Sequence, residues 1–129
     1  MKDMLDIIHQ AMQEDEVIAL NCGGRIKFYL YPETGETVNP FITIRPLTPP
    51  EAKVYASDKN LSYQFFYQID VQASERKKCK EIQHAVKAVM EGIGYVQQAG
   101  GLDEYFQETK RFVDARRYIK TTDLYDTDY

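Results

Sequence analysis

Residues 61–74 read LSYQFFYQIDVQAS, and this stretch decides the fold. Its odd positions are apolar or aromatic, and its even positions are polar except for Phe66. Successive side chains of a strand point to opposite faces, so the pattern predicts one long strand with a buried face and a solvent-facing face. Glutamine, serine and a single aspartate make up the polar face, which indicates a surface for contacts rather than for catalysis. The even positions are Ser62, Gln64, Phe66, Gln68, Asp70, Gln72 and Ser74.

The N-terminal region predicts helical structure followed by two strands. An apolar stripe at helical spacing marks a first helix, and a further helical turn over 17–20 ends at Gly23 and Gly24. Alternation over 25–31 predicts a strand that Pro32 closes, and residues 33–36 read as a turn. A second strand covers 41–45. The stripe of the first helix consists of Met4, Leu5, Ile7, Ile8, Ala11 and Met12.

The remaining chain continues the alternation of strands and helix. A proline-rich run at 48–50 predicts a loop to Asn60, long enough to be functional or mobile. After the long strand, Ser74 is the expected N-cap of a second helix that ends at Gly92. The stripe of this helix consists of Cys79, Ile82, Val86, Val89 and Met90.

The C-terminal third predicts two more strands. A short strand over 93–98 precedes a turn at Gly100 and Gly101 and a polar stretch to Lys110, and a last strand covers 111–119. The order α-β-β-β-α-β-β predicts an α+β fold, with a mainly antiparallel sheet and two helices packed on one face. We expect one domain over 1–119 and a flexible acidic tail over 120–129.

Composition excludes several protein classes. The chain has 129 residues and a net charge of −4, which suits a single soluble domain and argues against nucleic acid as the main partner. Its two cysteines, Cys22 and Cys79, have no metal-ligand spacing to His9 or His84, so buried free thiols and packing or surface histidines are expected. No apolar leader or membrane span is apparent. We predict no cofactor and no metal.

Two charged clusters are the candidates for a function. Arg76, Lys77, Lys78 and Lys80 open the second helix, either as a solvated face or as a contact surface for an acidic partner. The last strand carries Arg111, Arg116 and Arg117, and alternation places Arg116 on the opposite face from the other two. These arginines either pair across strands with Asp103, Glu104 or Glu108, or serve as interface anchors together with tyrosine.

Catalytic motifs are not recognisable. Serines lack a nucleophile-elbow pattern, and the two glycine pairs lack the spacing of a phosphate-binding loop. We therefore predict that the chain is not an enzyme. Residues predicted to contact partner proteins are Arg76, Lys77, Lys80, Asp103, Arg116, Arg117 and Tyr118.

Several segments together resemble a known family. These are CGGRIKFYLYPETG (22–35), FITIRPL (41–47), YQFFYQIDV (63–71) and GGLDEYFQETKRFVDARRY (100–118). The chain resembles the small tail-completion, or head–tail joining, proteins encoded by long-tailed (siphovirus-type) phages and Gram-positive prophages. The family pattern Tyr-Gln-Ile-Asp falls on residues 67–70, and Asp-x-Arg-Arg-Tyr falls on residues 114–118.

This resemblance implies a virion structural protein without catalytic residues. Such proteins form a ring, typically hexameric, that caps the head-proximal end of the tail tube and docks onto the head connector. Expected partners are therefore other tail and head-connector proteins, in the host bacterial cytoplasm during assembly and then in the virion. Whether the free chain is a monomer stays open. The alternative is a small nucleic-acid-binding regulator that uses the basic face of the second helix.

Overall fold

The computed structural model of the chain describes residues 1–32, 35, 37–55, 59–123, 126 and 128–129. Within these ranges, helices and strands follow one another in an order that confirms the α+β class. The helices are α1 (Met4–Gln13), α2 (Glu16–Cys22) and α3 (Arg76–Gly92). The strands are β1 (Ile26–Phe28), β2 (Phe41–Pro46), β3 (Glu51–Tyr55), β4 (Lys59–Ala73), β5 (Val96–Phe106) and β6 (Arg111–Thr121).

The sheet is built around β4, the long strand that the sequence predicts. The strand order is β1-β2-β4-β6-β5, and β3 pairs with the first part of β4. Only the β1–β2 pair is parallel among the described strands; the other four pairs are antiparallel. Asp70, near the middle of the sheet, lies opposite Thr43 of β2 and Ala115 of β6.

The helices pack on the face of the sheet that carries the odd positions of β4. Each fully buried aliphatic or aromatic side chain in this layer contributes about 1.5–3 kcal/mol of hydrophobic stabilisation. The opposite face carries no helix within the described residues and is called the open face here; it bears the even positions of β4. The core includes Ile8, Met12, Ile18, Ile42, Ile44, Phe65, Tyr67, Ile69, Val71, Ile82, Val86 and Met90.

Helix boundaries follow from capping residues, with one difference from prediction. Asp3 and Asp15 cap α1 and α2 by accepting hydrogen bonds from first-turn N–H groups. Gly23 ends α2 with φ of 52°, as expected. The expected N-cap at Ser74 is wrong, because α3 begins one residue later than it would require and Glu75 stands at the cap position without a side-chain cap bond.

The strands of the N-terminal half also differ from prediction. β1 stops at Phe28 because Tyr29 turns the chain with φ of 69°, which leaves Leu30 69% exposed rather than in a strand. The predicted turn at 33–36 lies outside the described residues except for Gly35. The predicted loop up to Asn60 is wrong over its described residues, since 51–55 form β3 and pair with the start of β4; residues 56–58 lie outside the described residues.

The predicted turn at Gly100 and Gly101 is wrong as well. β5 runs through both glycines as one strand with a shifted register between Gln98 and Gly101. Both glycines have φ near +100°, a conformation that other residues rarely adopt. A Cβ at Gly101 would lie 2.0 Å from the carbonyl oxygen of Ala115. The glycine pair therefore forms a β-bulge, which lets two strands approach where a turn was expected.

Candidate functional site

The centre of the open face carries a polar network that spans three strands. Arg45 of β2 forms an ion pair with Asp70, and Gln68 donates through Nε2 to Asp70 Oδ1 at 3.0 Å. From β6, Arg117 donates through Nε to Gln68 Oε1 at 3.0 Å. The expected solvent-facing row is therefore only partly correct, because Gln68 and Asp70 are 8% and 4% exposed beneath the arginines.

A second polar contact on this face leads into an aromatic depression. Arg111 donates through Nε to Gln72 Oε1 at 3.2 Å, and its guanidinium carbon lies 5.3 Å from the centroid of the Phe41 ring. Tyr31 stacks on the Phe41 ring, with 3.9 Å between the two ring centroids. Together with Arg45, these residues line a depression of about 430 Å³. The open face therefore combines fixed arginines with aromatic rings.

The helix face has a different charged cluster, centred on the carboxylate of Asp114. Its side chain is 3% exposed and accepts hydrogen bonds from Lys80 Nζ at 2.7 Å and from Arg116 Nε at 3.0 Å. Lys80 also pairs with Asp103. Partial burial lowers the pKa of Lys80. The hydrogen bonds and charges of Asp103 and Asp114 raise this pKa by more than burial lowers it, so the net shift is upward. This cluster joins α3 to β5 and β6, which is a structural role.

Tyr118 lies in the core and not at a surface. It is fully buried, and its hydroxyl donates to Gln83 Oε1 at 3.3 Å. Gln83 in turn donates through Nε2 to the carbonyl oxygens of Ile69 and Asp114. Burial raises the pKa of Tyr118 to about 12. The prediction that Tyr118 contacts a partner directly is therefore corrected, because its side chain serves the packing between α3 and the sheet.

The other predicted contact residues do not converge on one site. Arg116 and Arg117 lie on opposite faces of the sheet, as alternation predicts. Arg76 and Lys77 are exposed at the start of α3. The predicted cross-strand partners of the arginines are corrected, since Arg116 pairs with Asp114 on its own strand.

Two residues of these networks, Gln83 and Arg45, were not among the predicted site residues, for different reasons. Gln83 is a polar residue beside the apolar stripe of α3, four positions after Cys79, so its burial could have been inferred from helical spacing. Arg45 could not have been found in this way, because its partner is 25 positions away and depends on strand register.

The structure also places the two cysteines and the two histidines. The thiols of Cys22 and Cys79 are free and buried, as predicted, and burial raises their pKa values to about 12 and about 11. His9 packs edge-on against Phe28 at 5.7 Å between ring centroids, and His84 is exposed on α3. In the described part of the chain, histidine, cysteine and acidic residues form no group that could hold a metal ion.

The edge strand β5 presents exposed apolar side chains. Val96 is 61% exposed, Leu102 38% and Tyr105 47%. Every residue of β5 except Phe106 is exposed, although the strand is eleven residues long. Long exposed edges with apolar residues favour pairing with another chain. The edge of β5 is therefore a second candidate interaction surface.

The C-terminal tail contacts the N-terminal end of the chain. β6 takes up Lys120 and Thr121, two residues beyond its predicted end, and the described residues after it turn back. Lys2 forms an ion pair with Asp126, and its backbone N–H donates to the carbonyl oxygen of Asp128 at 2.7 Å. We call these contacts of residues 1–2 with residues 126, 128 and 129 the clasp. The predicted flexibility of the tail stays a prediction.

An apolar groove adjoins the clasp. Its volume is about 640 Å³, and it is lined by the start of α1, by residues 46–50 and by buried side chains of β4. Residues that line it include Leu5, Leu47, Pro49, Pro50, Phe65 and Tyr129.

Comparison with known proteins shows a shared fold. No protein-family model matches the chain, and no curated protein matches it. A chain in the solved structure of the virion of a native gene transfer agent (GTA) particle is similar, with a TM-score of 0.64 at 15% sequence identity. The similarity covers 88% of this chain and 90% of that chain. Among the described residues, no helix is long and apolar enough to cross a membrane.

Proposed function

We propose that this protein is a virion structural component, and more specifically a tail-completion or head–tail joining subunit of a long-tailed phage or prophage. In this role it forms a ring, typically hexameric, at the head-proximal end of the tail tube and docks onto the head connector. The observation that carries the proposal is the fold similarity to a virion chain over nearly the full length of both chains. The resemblance of residues 22–35 and 100–118 to tail-completion proteins supports the finer role.

The two edges of the sheet support lateral assembly. A closed ring needs heterologous contacts, in which two different surfaces of each subunit meet. One edge is β5, with Val96, Leu102 and Tyr105 exposed. The other side ends in the three-residue β1 and in the β3–β4 hairpin. These unlike edges fit a head-to-tail arrangement of subunits better than a two-fold dimer.

The open face supports a role in docking protein partners. Arg111 and Arg117 are each held through Nε by a glutamine of β4, so each guanidinium has further N–H donors for a partner. Arginine and aromatic side chains are enriched at interface centres because they combine contact area with directional bonds. A pre-ordered set also loses less side-chain entropy on binding.

Deletion of the gene from an inducible phage or prophage tests the proposal. We expect filled heads together with unjoined or aberrant tails in electron micrographs, and restoration of joined particles by the wild-type gene. Complementation with Leu102→Asp should fail to restore joining, because the charge is placed on the β5 edge. Ala88→Asp is the matched control, since Ala88 is also exposed but lies on α3. Normal infectious particles from the deletion strain would overturn the proposal.

The basic start of α3 offers weaker support for a nucleic-acid-binding regulator. Lys80 forms ion pairs with Asp103 and Asp114, and Lys78 forms one with Glu81 at 3.4 Å. Filter binding at low salt separates the two functions, since phosphate-driven affinity falls steeply as salt rises. We expect no retention of DNA or RNA. Retention that is lost with salt and reduced in Arg76→Ala would favour the regulator instead.

A further inference from the structure

The clasp joins two parts of the chain that are far apart in sequence. On the tail side, Asp126 and Asp128 face two cations, the Lys2 ammonium and the N-terminal ammonium, which lies 3.4 Å from Asp128. Lys2 Nζ also lies 4.8 Å from the centroid of the Tyr129 ring. Opposite charges therefore meet over a short segment, and the Lys2 ammonium also lies over the Tyr129 ring.

An aromatic seat completes this site. The Tyr129 ring packs edge-on against Phe65, with 4.9 Å between centroids, and against Tyr63 at 6.4 Å. Its hydroxyl donates to Asp126 Oδ2 at 3.2 Å, which ties the ring to the carboxylate that Lys2 binds. The body of the domain thus supplies the Lys2 ammonium, the Lys2 backbone N–H and the rings of Tyr63 and Phe65. The tail supplies Asp126, Asp128 and Tyr129.

Among the described residues, Thr122 makes the last backbone hydrogen bond between the tail and its own sheet. Its N–H donates to the carbonyl oxygen of Tyr63 at 2.8 Å, and the N–H of Tyr63 donates to its Oγ1 at 2.8 Å. Beyond Thr122, each contact of the clasp could be made unchanged with the body of a second, identical chain. Exchange of an identical element between protomers costs little free energy for this reason.

We propose that, beyond Thr122, the tail of one copy docks at the N-terminal end of a second copy, so that neighbouring subunits exchange their clasps. This inference rests on the proposed ring assembly and names the contact that links its subunits. The occupant is the acidic, tyrosine-ended tail of the same chain, because its charges and its ring match the site in the structure.

Reach and concentration set when exchange occurs. Seven extended residues span at most roughly 25 Å, so the acceptor site must lie beside the subunit interface. In dilute solution the tail's own site wins, because a short tether gives an effective concentration of roughly millimolar. Neighbours in a ring hold their tails at a comparable local concentration. We therefore expect self-docked tails in the dilute free chain, and exchanged tails only where assembly holds the subunits side by side.

Disulfide trapping with the full-length chain tests the exchange. One copy carries Lys2→Cys, and a second copy, distinguishable by a size tag, carries Asp128→Cys; their backbones are hydrogen-bonded in the clasp. We expect a mixed covalent dimer when concentrated samples are combined and oxidised. The double variant Lys2→Cys with Asp128→Cys is the control and should close within one chain when dilute. The proposal would be overturned if the double variant formed its intramolecular disulfide while the two combined single variants formed no mixed dimer.

A peptide assay examines the docking site without any ring. The acceptor is the full-length chain with Asp126→Ala, Asp128→Ala and Tyr129→Ala, and the probe is a fluorescent peptide of residues 120–129. We expect saturable binding of the peptide to this acceptor. Binding to the wild-type chain should be at least about tenfold weaker, because its own tail occupies the site. Adding Lys2→Glu to the acceptor should abolish binding. Absence of saturable binding would overturn the proposal. Particle morphology reads the proposed function separately, so the two can fail independently.

Discussion

Replacement of Gly101 by alanine should destabilise the β5–β6 pair more than any other glycine substitution in this sheet. The new Cβ would lie 2.0 Å from the backbone oxygen of Ala115, far inside contact distance, and φ of +100° strains any residue with a side chain. Strain of this kind costs about 1–3 kcal/mol, and the clash requires the ladder to shift in addition. We expect a loss of about 3 kcal/mol or more, which corresponds to a fall in melting temperature of roughly 10 °C for a domain of this size.

Two further alanine substitutions turn this expectation into a graded series. Gly100 shares the positive φ, but the atoms nearest to its Cβ would belong to the Arg117 side chain and not to backbone. A side chain can move aside more easily than a strand, so about 1–2 kcal/mol is expected, mainly from backbone strain. Gly92 closes α3, has no positive φ and has nothing within 4 Å of its Cβ, so alanine there should stabilise by a few tenths to about 1 kcal/mol.

Urea denaturation measures the global free energy of unfolding in this series, and hydrogen exchange of the β5 amides detects local release of the edge strand. Because β5 is an edge strand, part of the loss in Gly101→Ala should appear as weakened protection of β5 alone. Equal stabilities for the Gly100 and Gly101 variants would refute the backbone-contact reasoning. A Gly101 variant as stable as the Gly92 variant would refute the strain reasoning too.

Three other predictions concern buried groups and the clasp. Gln83→Ala should cost about 2–4 kcal/mol in urea denaturation, because it leaves the buried Tyr118 hydroxyl and two carbonyl oxygens without their bonds, whereas Gln97→Ala on the exposed edge should be near neutral. Burial raises the pKa of Cys22 to about 12 and that of Cys79 to about 11, so a thiol reagent at pH 8 should react at the rate of unfolding; rapid labelling of the native chain would contradict this. The hydrogen bond from Lys2 lowers the pKa of Asp126 from 3.8, and the same bond raises the pKa of Lys2 from 10.5. The clasp should therefore persist between these two pKa values. It should weaken as pH falls through the lowered pKa of Asp126, and again as pH rises through the raised pKa of Lys2. The NMR signals of Tyr129 follow both changes, and signals that do not depend on pH would count against the ion pair.

Several features of the fold could be predicted because they depend on neighbours in sequence. The alternation through β4 indicates its length and its buried face, and helical spacing indicates α1 and α3. Errors occurred where local signals have two interpretations. A pair of glycines is typical of a turn, but in β5 it forms a bulge because β6 supports both sides of it. Likewise, the segment after Pro50 lacks a strand pattern of its own and becomes β3 by pairing with β4.

By itself, the sequence determined the α+β class, the central strand and the face of that strand which is buried, because a period of two or of 3.6 residues is a local property. Only the tertiary structure decided which side chains meet. Register places Arg45 and Arg117 on either side of Gln68, and it thereby buries Asp70 on a face that local alternation assigns to solvent. Strand register depends on residues far apart in the chain, so no local pattern can specify it.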